Sequence, residues 1–254
     1  MDEVEYATRF AIEHAHYTRD LPFWQAAARR QGDPVLDVGC ASGRVSVALA
    51  SAGFRVWSVD TSRAMLDELL DAAESADCEQ RVVPHCQDMR ELDLGRTFPL
   101  IIVPMNTFQL MHTSVDQDAA LQSLARHLEP KGELIIEVAN PDFGFIQGSL
   151  GELHPAGMFF DRSRGVTLVH SSRYDTFDES AKRATFTWRI DEQASSGETT
   201  TFYREFDVRL FPPSELLALL SANGLQVRES LGDFDGSPLT DESDLQLHRC
   251  VPAA

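Results

Sequence analysis

The chain has 254 residues, 43% hydrophobic and 24% charged, with a formal net charge of −18. This length can bury a substantial core as one large domain or a domain with an insertion. The acidic balance opposes approach to nucleic-acid phosphates or an anionic membrane surface. No apolar run nears the roughly 20 residues that cross a bilayer, and "MDEVEYATRF" lacks signal-peptide character. Cys40, Cys78, Cys86 and Cys250 show no CxxC spacing. A cytoplasmic protein with reduced thiols and no metal site is expected.

Through residue 150, apolar strands alternate with helical segments, the pattern of a mostly parallel α/β sheet. "PVLDVG" predicts a strand, "RVSVALASAG" a helix stopping at Gly53, "FRVWSVD" a second strand, and "SRAMLDELLDAAES" a helix capped by Ser62. "RVVPHCQD" and "FPLIIVPM" read as the third and fourth strands. "SVDQDAALQSLARHLEPKG" predicts a helix ended by Pro130 and Gly132, and "ELIIEVAN" a fifth strand. Such apolar runs suit strands covered on both faces. After Asn140, "GVTLVHSSRYD", "RATFTWRIDE" and "TTTFYREFDVRLF" alternate in the manner of antiparallel strands, joined by the turns "FDES" and "ASSGE". "PPSELLALLSANG" then predicts a helix with proline at its start and glycine at its end, followed by the closing strands "LQVRESLG" and "DLQLHRCV".

A strand feeding a glycine turn and a helix N-terminus creates a ligand crevice. The dinucleotide fingerprint needs G-x-G-x-x-G. This turn reads Gly39-Cys40-Ala41-Ser42-Gly43-Arg44, so a pyrophosphate would meet the Cβ of Ala41 and the nearby carboxylate of Asp37. A cationic ligand suits it better.

"VLDVGCASGR" resembles the first motif of the class I S-adenosylmethionine (SAM)-dependent methyltransferases. "VWSVDTS" and "HCQDMRELDL" resemble the second and third. The match spans residues 30 to about 140, and the chain is similar there to bacterial small-molecule methyltransferases of amino sugars and natural products. Taken with the strand pattern, the expected fold is α/β: a Rossmann-like, seven-stranded, mostly parallel sheet with helices on both faces and an antiparallel β-sheet inserted after the fifth strand. The expected domains are an N-terminal helical lid at 1–30, a SAM-binding core at 31–145 and 211–254, and an insertion at 146–210 forming a substrate lid.

The resemblance implies SAM as cofactor and S-adenosylhomocysteine as product. Asp60 would accept hydrogen bonds from the ribose hydroxyls, with Thr61 beside it. Asp88 and the Met89 amide would read adenine, and Met65 would pack on the adenosine. Asp37, Gly39, Ala41 and Gly43 would lie by the positively charged methionine end, with Pro104 at the end of the fourth strand. His112 in "VPMNTFQLMH" is a candidate base, offset from the family histidine position, which Leu110 occupies; the alternative is a surface histidine at a helix start. Tyr17 resembles a lid tyrosine, and His154 in "ELHPAGMFF" falls where a substrate lid would sit. Asn106, Gln109, Asn140, Phe160 and Trp188 are candidate acceptor contacts, with turn formation or sheet packing as alternatives. The expected reaction is in-line methyl transfer to oxygen or nitrogen, less readily carbon, of a small molecule of secondary metabolism. A monomer or homodimer is expected. Two alternatives stand beside it: a non-catalytic SAM-binding sensor or partner subunit, favoured by Leu110, and an NAD-dependent oxidoreductase.

Overall fold

Short β-branched runs bounded by glycine and proline become the central strands, and the amphipathic segments between them become the covering helices. The computed structural model describes residues 2–162 and 164–253, which cluster into two units, one of residues up to 140 with 212 onward, the other of residues 141–211.

In the first unit the elements are α1 (Glu3–His14), α2 (Leu21–Gln31), β1 (Val35–Val38), α3 (Arg44–Ser51), β2 (Val56–Asp60), α4 (Arg63–Ser75), β3 (Val82–Cys86), β4 (Phe98–Val103), α5 (Ser114–Arg126) and β5 (Leu128–Ala139). After the second unit follow α7 (Pro213–Ala222), β10 (Leu225–Leu231) and β11 (Leu245–Pro252). The seven strands run in the order β10-β11-β5-β4-β1-β2-β3. Neighbours from β5 to β3 pair in parallel, and β11 runs antiparallel to both β5 and β10. The predicted seven-stranded, mostly parallel sheet is present.

Trp24, Ala27 and Ala28 of α2 pack with Val45 and Leu49 of α3 and with Val35, Leu100, Ile102 and Ile135 of the sheet in one buried cluster. So α2 packs into the core of this unit. Helix α1 lies on α4, where Ala7 packs with Ala64 and Met65.

Helix α5 ends at Arg126, and "LEPKG" is extended as the start of β5, which corrects the predicted helix end at Pro130. His127 explains the early stop. Its Nδ1 donates to the Ser123 carbonyl at 2.8 Å, its Nε2 accepts from the Leu94 amide at 3.3 Å, and its carbonyl accepts from Phe98 N at 2.8 Å. These partners anchor the chain to β4 before a further turn of helix can form.

The second unit comprises α6 (Phe143–Gly148) and an antiparallel sheet in the order β6 (His154–Asp161), β7 (Val166–Asp178), β8 (Arg183–Ala194) and β9 (Thr199–Arg209). Ile146, Ala184, Val208 and Leu210 are buried together, with Phe143, Tyr174, Phe177, Phe186 and Phe206 against them. "ELHPAGMFF", to which the sequence assigned no strand, supplies the edge strand β6. Pro155 and a register shift at Gly157 are tolerated there because an edge needs hydrogen bonds on one side only.

Candidate functional site

The strand order reverses between β4 and β1, the place where open α/β sheets form a ligand crevice at the carboxyl ends of their strands. The turn after β1 lines that crevice. Gly39 and Gly43 adopt φ of 73° and 86°, and Ala41 shares the left-handed region at 47°. A Cβ on Gly39 would collide with the Thr107 side chain, so the loop after β4 lies directly against this turn. Gly39→Ala must displace that loop or the turn, and is expected to weaken SAM binding at least tenfold by calorimetry. Wild-type affinity in a folded variant would detach the turn from the cofactor.

Asp60 ends β2, and both its oxygens are engaged. Oδ2 accepts from Ala41 N and Oδ1 from Ser62 N, each at 2.9 Å. One carboxylate therefore braces the glycine turn and the entry to α4, with lone pairs left for a ligand. Asp37 is 1% exposed. Its Oδ2 accepts from the Ser46 hydroxyl at 2.7 Å, while the buried Oδ1 has no hydrogen-bond partner. Burial above all raises its carboxyl to about 7, and Asp60 and Asp20 add to the rise.

Two features escaped the sequence reading. Arg44, the first residue of α3, donates to both oxygens of the fully buried Asp20 at 2.6 and 2.7 Å. Trp24 Nε1 donates to the same carboxylate at 2.9 Å. Arg44 also donates to the Tyr17 carbonyl at 2.8 Å and stacks 5.0 Å over the Tyr17 ring, so the α1–α2 connection is held at the glycine turn. Glu137, near the end of β5, is 5% exposed and accepts from Met105 N at 2.8 Å. Burial first raises its carboxyl to about 7. Burial, followed by the charge of Glu137, pushes the Tyr17 hydroxyl up to about 12, so Tyr17 is a neutral donor at physiological pH.

Acids thus crowd the crevice, and an unpartnered Asp37 oxygen is buried beside it. An ammonium- and sulfonium-bearing cofactor fits this charge and a pyrophosphate does not. Asp37, the Gly39–Gly43 turn and Asp60 are the residues that would hold SAM.

The remaining predicted residues distribute unevenly. Met65 is buried against Ala7 of α1 and Ala41, and Thr61 is exposed at the end of β2. Asp88 receives Arg90 Nε at 3.0 Å, Nη2 at 2.6 Å and the Arg90 amide at 2.9 Å, and these hydrogen bonds hold its carboxyl below the usual range. An adenine amino group would have to share that carboxylate with Arg90. Met89, next to it, is buried.

Pro104 leads into Asn106, whose φ is 63°. Buried Gln109 accepts from Ala139 N at 3.3 Å. Asn140 donates its amide to the carbonyls of Ser243 at 2.9 Å and Thr240 at 3.3 Å, which commits that donor to holding a loop. His112 is half-buried just ahead of α5, and Leu110 is 49% exposed. His154, Phe160 and Trp188 all belong to the second unit. His154 lies 5.2 Å from the Phe145 ring, Phe160 is 59% exposed, and Trp188 packs with His170 and Phe206.

Among the described residues, no cluster of three His, Cys, Asp or Glu side chains could hold a metal, and no helix is long and apolar enough to cross a membrane.

Residues 35–132 match a family model described as a methyltransferase domain. The chain is 29% identical to the cypemycin N-terminal methyltransferase of a Streptomyces species, over 88% of this chain and 85% of that protein. The solved structure of the CcbJ methyltransferase from Streptomyces caelestis superposes with a TM-score of 0.77 at 23% identity, covering 93% of this chain and 90% of that one. SAM-bound CalS10, an amino pentose methyltransferase from Micromonospora echinaspora, gives 0.66 at 22% identity, covering 98% and 92%. Residues 35–132 thus match a methyltransferase domain, and in its motifs and sheet order the chain is similar to the class I SAM-dependent methyltransferases.

Proposed function

We propose that this methyltransferase acts on an amine nitrogen of a small natural product. The acid-crowded crevice carries the reading. Asp60 and Asp20 act on Asp37, and Asp20 on Glu137, so acids outnumber Arg44 and Arg19 there and a cationic amine is drawn toward the place where the cofactor binds. Two of the similar proteins carry names that support it, an N-terminal methyltransferase and an amino pentose methyltransferase.

SAM, when bound, supplies a methyl group activated on a sulfonium. The chain's own work is to hold both partners in line and keep water out. In this reading Asp37 and the glycine turn hold the cationic end of the cofactor, Asp60 its ribose, and Asp88 with Met89 its adenine. Tyr17, fixed by Arg44, presents a neutral hydroxyl from the α1–α2 connection.

A panel of peptide N-termini, amino sugars and phenols, followed by S-adenosylhomocysteine release, tests the acceptor. Turnover is expected with amines. Turnover with phenols alone would transfer the reading to oxygen, and tight SAM binding without any turnover would favour a sensor.

A further inference from the structure

Glu137 was not among the residues singled out from the sequence, yet it stands beside the reversal point of the sheet. Ile102 of β4 is paired with Asp37 of β1 on one side and Ile135 of β5 on the other. Residues two apart on a strand share a face. Asp37 and Glu137 therefore project from the same face, flanking β4, with Glu137 one step nearer the carboxyl ends.

Its carboxylate reaches forward to the amide of Met105, two residues past the end of β4. Met105 and Asn106 both hold positive φ, 50° and 63°, a conformation that costs energy in non-glycine residues and collects at functional sites. The Gln109–Ala139 hydrogen bond fastens the same loop to β5 a second time. The loop meets the glycine turn at Thr107 and Gly39. So a nearly buried carboxyl is directed at the part of the crevice where β4, β5 and the cofactor turn come together.

The groups that act on Glu137 are Tyr17, Asp20, Arg44 and Arg19, along with the Met105 amide. Among the acids, Asp20 is saturated by Arg44 and Trp24. Asp37 lies deeper, on the Ser46 hydroxyl. Tyr17 keeps its proton until about 12. Glu137 combines position, burial and a carboxyl raised to about 7, the range in which a general base works best.

We propose that Glu137 is the general base of the reaction, accepting the proton that an ammonium-form acceptor must lose before its nitrogen can be methylated. The inference rests on the amine reading above. The ammonium N–H bond breaks and its proton passes to a Glu137 carboxylate oxygen. The freed nitrogen lone pair then forms the N–CH3 bond as the sulfur–methyl bond of the cofactor breaks, and the sulfur keeps that electron pair. Glu137 returns its proton to solvent before the next turnover.

Glu137→Gln keeps an oxygen for the Met105 amide and removes the proton acceptor. The variant is expected to lose 10²- to 10⁴-fold in kcat, roughly the share general-base catalysis supplies. SAM affinity should stay within about threefold, and the acidic limb of the kcat/KM profile near pH 7 should vanish. A variant within threefold of wild-type kcat, with that limb intact, overturns the proposal.

A second measurement needs no acceptor. Carbon-13 NMR of glutamate-labelled protein bound to S-adenosylhomocysteine, assigned through Glu137→Gln, should show this carboxyl titrating between about pH 6 and 8. A carboxyl in one protonation state across that range overturns the base. Failure of wild type on every amine overturns the amine reading instead, so the two results separate.

Discussion

Asp20→Ala is expected to destabilise the fold by about 3–5 kcal/mol, the cost of removing one partner of a buried ion pair. The variant strands the Arg44 guanidinium, which is 11% exposed, and leaves the buried Trp24 indole N–H without its acceptor. Because Arg44 also holds Tyr17 by its carbonyl and ring, the α1–α2 connection should loosen with it. Urea unfolding measures the first effect, and faster proteolysis between residues 15 and 20 would report the second. A loss below 1 kcal/mol would mean that the pair contributes little to the fold.

Asp60→Ala should be the more damaging change for the cofactor. The Ala41 and Ser62 amides both lose a carboxylate acceptor, and charge-assisted hydrogen bonds of this kind contribute about 1.5–3 kcal/mol each. Ala41 is already at positive φ, and Asp60 is the side chain of β2 that holds it, beside the Val59 carbonyl that takes the Gly39 and Cys40 amides. SAM affinity is expected to fall roughly 5- to 150-fold, equivalent to about 1–3 kcal/mol. Calorimetry on folded Asp60→Ala and Asp60→Asn proteins checks this. Undiminished affinity in both would remove Asp60 from the site.

Burial gives the protein a pH signature. Asp37 and Glu137, both raised to about 7, keep their protons in the folded chain well above the pH at which the unfolded chain releases them, near 4. Between those values the folded state binds more protons, so their contribution to stability declines as pH rises through about 4 to 7 and is lowest above it. Cationic SAM acts in the opposite sense at Asp37, whose ionised carboxylate would hold it better than the neutral acid. The rise in Tm on adding SAM should therefore be larger at pH 7.5 than at pH 6. Equal shifts would show that Asp37 does not sense the cofactor.

Much of the architecture was legible because it is carried by local patterns. "VLDV", "VWSVD" and "FPLIIV" are buried strand runs closed by glycine, acid or proline, and the structure keeps them as β1, β2 and β4. The β7–β9 alternation survives equally well. What failed was decided at a distance. The end of α5 is fixed by His127 reaching Leu94 and Phe98, which no helical period encodes. Strand β6 is an exposed edge with Pro155 and Gly157 in it, so it shows no alternation to read.

The glycine turn was legible because its glycines and acids are contiguous or occur at a strand end. The Asp20–Arg44 pair spans 24 residues and was not. Glu137 did carry a signal. An acid inside the apolar run "LIIEVA" must be buried, and a buried carboxyl at a strand's carboxyl end is a functional candidate.

The most direct test of the account is calorimetric titration of the wild-type protein with SAM, S-adenosylhomocysteine and NADH. The acid-lined crevice predicts one-to-one binding of the two adenosyl ligands and none of NADH. Binding of NADH without SAM would contradict the account at its centre.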